Sequence, residues 1–99
     1  MRYVAAIAYD GTDYAGWQRQ KNALSVQEVL ENAFFSAFKT RVSVTASGRT
    51  DAGVHALSQI VHFDADLTLP PEKFPEALNK FLPEDISVLK SGAAREGFD

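Results

Sequence analysis

Residues 25–39 read Ser-Val-Gln-Glu-Val-Leu-Glu-Asn-Ala-Phe-Phe-Ser-Ala-Phe-Lys, and this spacing predicts a helix that begins at Ser25. Ser25 stands three residues before Glu28, an arrangement in which hydroxyl and carboxylate satisfy amides that the first turn leaves free, and Leu24 and Val29 are placed as a hydrophobic staple. Val26, Val29, Leu30, Ala33, Phe34, Ala37 and Phe38 recur at helical spacing as one apolar stripe. Gln27, Glu31, Asn32, Ser36 and Lys39 are expected to face solvent. Such a stripe needs a surface to cover, and the flanking sequence offers strands.

Upstream, Arg2 to Tyr9 is a strand with Tyr3, Ala5, Ile7 and Tyr9 on one face and Val4, Ala6 and Ala8 on the other. Asp10-Gly11-Thr12-Asp13 ends it, and a polar segment from Tyr14 to Ala23 holds the single tryptophan. Downstream, Val42, Val44 and Ala46 alternate as a strand, and Gln59 to Phe63 form another with Ile60, Val61 and Phe63. Pro75 suits the first turn of a second helix running to about Phe81, with Phe74, Leu78, Phe81 and Leu82 facing the core. Pro83 stops it, Ile86, Val88 and Leu89 make a last strand, and Ser91 to Asp99 is expected to add no element. The order strand, helix, strand, strand, helix, strand is the split βαβ pattern. It predicts an α+β, ferredoxin-like βαββαβ domain over residues 1–99, an antiparallel sheet with two helices on one face. The other face is left open to a ligand or a further domain.

Composition narrows the classes. A chain of 99 residues, 45% hydrophobic, is one domain with a genuine core. It has no cysteine, which excludes disulfides and thiolate metal sites, and no apolar run near the ~20 residues of a membrane span. A cytoplasmic location is the expectation. The net charge is −3, unevenly spread: residues 14–50 carry +3, through Arg19, Lys21, Lys39, Arg41 and Arg49, whereas residues 64–99 carry −4. A cationic side able to face a polyanion is one reading; ordinary scattered surface charge is the other.

Between the two middle strands lies Gly48-Arg49-Thr50-Asp51-Ala52-Gly53-Val54-His55. Its glycines permit a sharp turn and a close ligand approach, while a cation, a hydroxyl and an imidazole crowd one carboxylate. A plain surface turn, with Asp and Thr bonding their own backbone, accounts for the same residues. Asp10-Gly11-Thr12 lacks a phosphotransferase nucleophile, since Ala8 stands where it is needed. Asp51, His55, His62 and Asp64 have no recognised metal-ligand spacing, so no metal is expected, and nothing resembles a nucleophile elbow. Tyr9, Tyr14 and Trp17 with Arg19 and Lys21 have the composition used to stack on unpaired bases; packing at a sheet edge explains the aromatics equally well.

Taken together, Tyr9-Asp10-Gly11-Thr12, Gly16-Trp17-Gln18-Arg19-Gln20, Val26-Gln27, Gly48 to Ala56, Gln59 to Phe63 and Leu78-Asn79 with Leu82-Pro83 resemble the N-terminal domain of the TruA family of tRNA pseudouridine synthases. The resemblance implies that Asp51 is the catalytic aspartate, converting uridine to pseudouridine in the tRNA anticodon stem-loop without metal or organic cofactor. Arg49 looks like the family's arginine that fills the space of the displaced base. Thr50, His55 and Trp17 are carried as substrate contacts, and Arg19, Lys21 and Arg41 as RNA-backbone contacts. The family's C-terminal domain, with an aromatic residue packing on the uracil and a basic partner for the aspartate, is absent from this chain. The 99 residues alone are therefore expected to be inactive or nearly so, and the full-length enzyme to be a homodimer. The rival class is a non-catalytic ferredoxin-like module for RNA or protein binding.

Overall fold

The alternation of apolar residues in Arg2–Tyr9 gives β1, the strand around which the domain is organised. The computed structural model describes residues 2–18, 20–21, 23–46 and 56–93. Along them follow α1 (Val26–Phe38), β2 (Val44–Ala46), β3 (Ala56–Asp64), α2 (Phe74–Asn79) and β4 (Ile86–Ala93), with short 3₁₀ turns at Gly11–Asp13 and Pro71–Lys73. The strands form one antiparallel sheet in the order β2-β3-β1-β4, the expected ferredoxin-like arrangement.

The two faces of β1 have different fates. Tyr3, Ala5, Ile7 and Tyr9 enter the core with Val44, Val61, Phe63, Ile86 and Val88, covered by Leu30 and Phe34 of α1 and Phe74 and Leu78 of α2. Aromatic rings bridge the layers: Phe34 meets Phe63 edge-on at 4.7 Å, and Phe74 meets Tyr3 at 5.1 Å and Phe38 at 5.7 Å. Contacts of this kind add about 0.5–1.5 kcal/mol each to the area they bury. On the opposite face Ile60 is 40% exposed; Ala6 is nevertheless buried between its cross-strand partners Ile60 and Lys90.

Helix α1 begins as the capping pattern predicts. Ser25 is extended and fully buried, and its Oγ accepts from the Glu28 amide at 3.2 Å. The staple does not form fully: Val29 packs against the core, but Leu24 is half exposed. The helix closes at Lys39, whose φ of 58° lets its amide donate to the Phe35 carbonyl at 2.9 Å.

Several expectations need correction. Helix α2 ends at Asn79, short of Phe81, so Phe81 turns outward and is 52% exposed. The β1–β4 register shifts between Ala6 and Ile7, so Leu89, in the strand as expected, has no partner on β1, and next to buried Val88 it is exposed. Strand β4 continues through Ala93, and β3 runs from Ala56 to Asp64, both longer than their apolar runs. Gln27 and Glu31 do not simply face solvent, as the site shows.

Candidate active site

The connection between β2 and β3 is anchored at two places that the sheet register sets. Ala46, the last residue of β2, lies opposite Val61, whereas Ala56, the first of β3, lies opposite Tyr9 at the end of β1. The two anchors are thus separated along β3 by five residues, about 17 Å at strand rise. Asp51 falls midway between Ala46 and Ala56 in sequence. Asp51, Arg49, Thr50, His55 and Arg19 lie outside the described residues.

The end of β1 beside the second anchor is a tied turn. The Asp10 amide donates to the Asp85 carbonyl at 2.9 Å, and the Thr12 amide and hydroxyl donate to Asp10 Oδ1 at 3.0 and 2.6 Å. Tyr14 O–H donates to Asp85 Oδ1 at 2.6 Å, joining this turn to the approach to β4. Burial first, and then the hydrogen bond that the Asp85 carboxylate accepts from it, push the Tyr14 phenol far above the usual tyrosine range.

The polar segment after this turn serves the first end of α1. Gly16, at φ 89°, offers its carbonyl to the Val26 amide at 3.2 Å, and the Trp17 carbonyl takes the Gln27 amide at 2.9 Å. Two of the helix's free amides are satisfied in this way. The same path turns the Trp17 ring inward, where it is 3% exposed, and Tyr9 and Tyr14 are buried beside it in the core. Their burial favours packing over the stacking platform. Trp17, Gln18 and Gln27 line one side of a cavity of about 190 Å³, and Val44, Thr45 and Ala46 the other. It is small against the ~300–1,000 Å³ of typical ligand sites, and its lining includes Ala46, the last residue of β2.

Strand β2 is held from outside by α1. Glu31 Oε2 accepts from the Val44 amide at 2.8 Å, and Gln27 Nε2 donates to the Val44 carbonyl at 3.1 Å and to Glu31 Oε2 at 3.2 Å. The two side chains sit four residues apart on one helix face and act together. Of the expected RNA contacts, Lys21 and Arg41 are exposed. The Arg41 guanidinium lies 5.0 Å over the half-exposed Phe35 ring, at a groove of about 300 Å³ that Asn32 and Ser43 also line. Arg41 precedes β2, and the chain runs on into residues 47–55 from the strand's other end.

The sequence matches the family described as tRNA pseudouridine synthase over residues 5–96. The chain belongs to that family. Among relatives named tRNA pseudouridine synthase A, it is 49% identical over 90 residues to the protein of Prochlorococcus marinus strain MED4, covering 91% of this chain and 34% of the relative. The Geobacter sulfurreducens protein is 50% identical over 93 residues, 94% of this chain and 38% of its own length. That of Anaplasma marginale strain Florida is 50% identical over 101 aligned positions, 99% and 41%. The chain thus spans roughly a third to two fifths of the curated relatives it matches.

Within this pseudouridine synthase family chain, the block Gly48 to Ala56 falls inside the matched stretch. Among the described residues, no helix is long and apolar enough to cross a membrane. At the end of the sheet away from β1's turn, Arg2 grips Asp64 with two bonds of 2.9 Å, from Nε and Nη2. The bond to Arg2 lowers the exposed Asp64 carboxyl below the usual aspartate range. Sequence reasoning missed the Gln27–Glu31 hold on Val44 and the Tyr14–Asp85 bond. The first had one visible signal, two polar side chains four apart directly beside the apolar stripe; the second had none.

Proposed function

We propose that this chain is the N-terminal, aspartate-bearing domain of an enzyme that isomerises uridine to pseudouridine in the anticodon stem-loop of tRNA, with Asp51 as the catalytic carboxylate. The observation that carries the reading is the family match across residues 5–96, which includes the Gly48-Arg49-Thr50-Asp51 block. In the reaction the bond from uracil N1 to the ribose breaks and a bond from C5 replaces it; C5 gives up its proton and N1 gains one. A carboxylate suits either route to this exchange, adding to the ring or taking a proton from the ribose. The base must first leave its stack, at a cost of a few kcal/mol, and Arg49 fills its place. Exposed Lys21 and Arg41, with Arg19, then meet the phosphate backbone. In this reading Thr50 and His55 contact the substrate, a C-terminal domain beyond residue 99 completes the pocket and balances the charge of Asp51, the whole enzyme is a cytoplasmic homodimer, and residues 1–99 alone are inactive or nearly so.

The test is Asp51→Ala in the full-length protein, followed by release of tritium from tRNA labelled at uridine C5. Release should fall at least a thousandfold, roughly the scale of losing a catalytic group, while tRNA affinity stays within about threefold. Unchanged release would sink the assignment and leave a binding module.

A further inference from the structure

The two outer strands of the sheet, β2 and β4, are each gripped at one valine by side chains from a helix. At β4, Asn79 Nδ2 donates to the Val88 carbonyl at 3.0 Å and the Val88 amide donates to Asn79 Oδ1 at 2.8 Å. At β2, the pair is split between two residues: Glu31 takes the Val44 amide and Gln27 supplies the Val44 carbonyl. In an antiparallel ladder, a residue turns its N–H and C=O to the same side. Val44 turns both toward α1, so Thr45, opposite His62, is the residue left to bond to β3. A strand of three residues held to its neighbour through so few groups has little orientation of its own.

The consequences at the two edges differ because the strands lead to different places. Beyond Val44 the chain runs through Ala46 directly into residues 47–55. The distance from Val44 to Ala46 is about 7 Å at strand rise, and Asp51 stands five residues further on. Gln27 and Ala46 also line the same cavity. Val88 lies in an eight-residue strand paired with β1 along most of its length.

We propose that Gln27 and Glu31 are positioning residues for the Asp51 segment, holding β2 in the direction from which that segment departs. The inference rests on the reading of Asp51 as the catalytic carboxylate. In this role they act through the Val44 peptide groups. A displacement of about 1 Å at a reacting group is enough to cost up to a hundredfold in rate, so a loosened β2 affects turnover before it affects folding.

The test pairs two near-isosteric substitutions in the full-length protein. Gln27→Glu replaces the donor by an acceptor facing the Val44 carbonyl and Glu31, and Asn79→Asp does the same opposite the Val88 carbonyl. Gln27→Glu should lower kcat about tenfold or more with KM within about twofold, whereas Asn79→Asp, at equal or greater loss of Tm, should leave kcat within about twofold. Amide exchange should quicken about tenfold across residues 44–46 and 56–60 in the first variant and across 86–93 in the second. Should Gln27→Glu fail to fold, Gln27→Met carries the same test, having no donor for Val44. Equal kcat losses at equal Tm losses, or unchanged exchange at residues 44–46, would overturn the proposal. Exchange is read independently of activity, so failure of the Asp51 assignment shows separately, as retained tritium release in Asp51→Ala.

Discussion

Among the described residues, the β4 edge of the sheet is tied at more points than the β2 edge. Strand β4 pairs seven of its eight residues with β1, and has the Asn79 amide at Val88, a bond from Ser91 Oγ to the Pro71 carbonyl, and Asp10 and Tyr14 both bonded to Asp85 just before it starts. Strand β2 has three residues against β3 and the Gln27–Glu31 pair. The less tied strand is the one that leads into residues 47–55, which hold the proposed catalytic Asp51. Local stability is unequal in folded domains, and segments that must meet a substrate are drawn from its lower end; here the inequality can be traced to individual bonds.

Phe74→Ala is the strongest way to break this contrast. The ring is fully buried against Tyr3, Phe38 and Phe63 and anchors α2, and with it Asn79, beneath β4. Its removal should cost about 3–5 kcal/mol in chemical denaturation, with amides of β4 losing protection at least as fast as those of β2. If β4 kept its protection, its hold would not come from α2.

Tyr14→Phe sharpens the contrast at the start of β4. Losing the bond to Asp85 should cost about 1–2 kcal/mol at pH 7. The Tyr14 phenol is raised in the folded state, so its contribution is complete below the ordinary tyrosine pKa of about 10 and is lost as pH rises above it. Thermal melts from pH 7 to 11 should therefore show the wild type falling toward the variant above about pH 10. Parallel curves would mean that Tyr14 does not titrate as its surroundings dictate.

Arg2→Ala, at the opposite end of β1, should have the smallest effect. The Arg2–Asp64 pair is largely exposed, and solvent screens it. The Asp64 carboxyl is lowered in the fold, so what it contributes is present above the ordinary aspartate pKa of about 4 and fades as pH falls. Melts of the two proteins should differ little at pH 7 and converge in acid. A large difference at neutral pH would show that the far end of β1 is less well supported than the edges.

Legibility in the sequence followed hydropathy. Strand β1 and helix α1 were readable because their buried faces are apolar at the right period, and Ser25 performs the capping that its spacing to Glu28 implies. Phe81 was misread as core because the pattern records which residues are apolar, not where a helix stops. Gln27 and Glu31 were assigned to solvent for a related reason: their partners are the peptide groups of Val44, and a backbone donor or acceptor at a sheet edge leaves no mark on side-chain composition. The block from Gly48 to Ala56 was readable only as a motif, through its resemblance to the family, since a carboxylate among glycines has no periodicity to interpret. Trp17 was the ambiguous case, and its inward turn follows from Gly16 and from carbonyls committed to the first turn of α1.

The valine grips also bear on self-assembly. An open sheet edge offers its peptide groups to any passing strand, and adding one is the common route to aggregation. At Val44 and Val88 those groups are already engaged by Glu31, Gln27 and Asn79, so a strand arriving at either residue must first evict a side chain. Two helices that cover one face of the sheet thereby also guard a point on each of its sides.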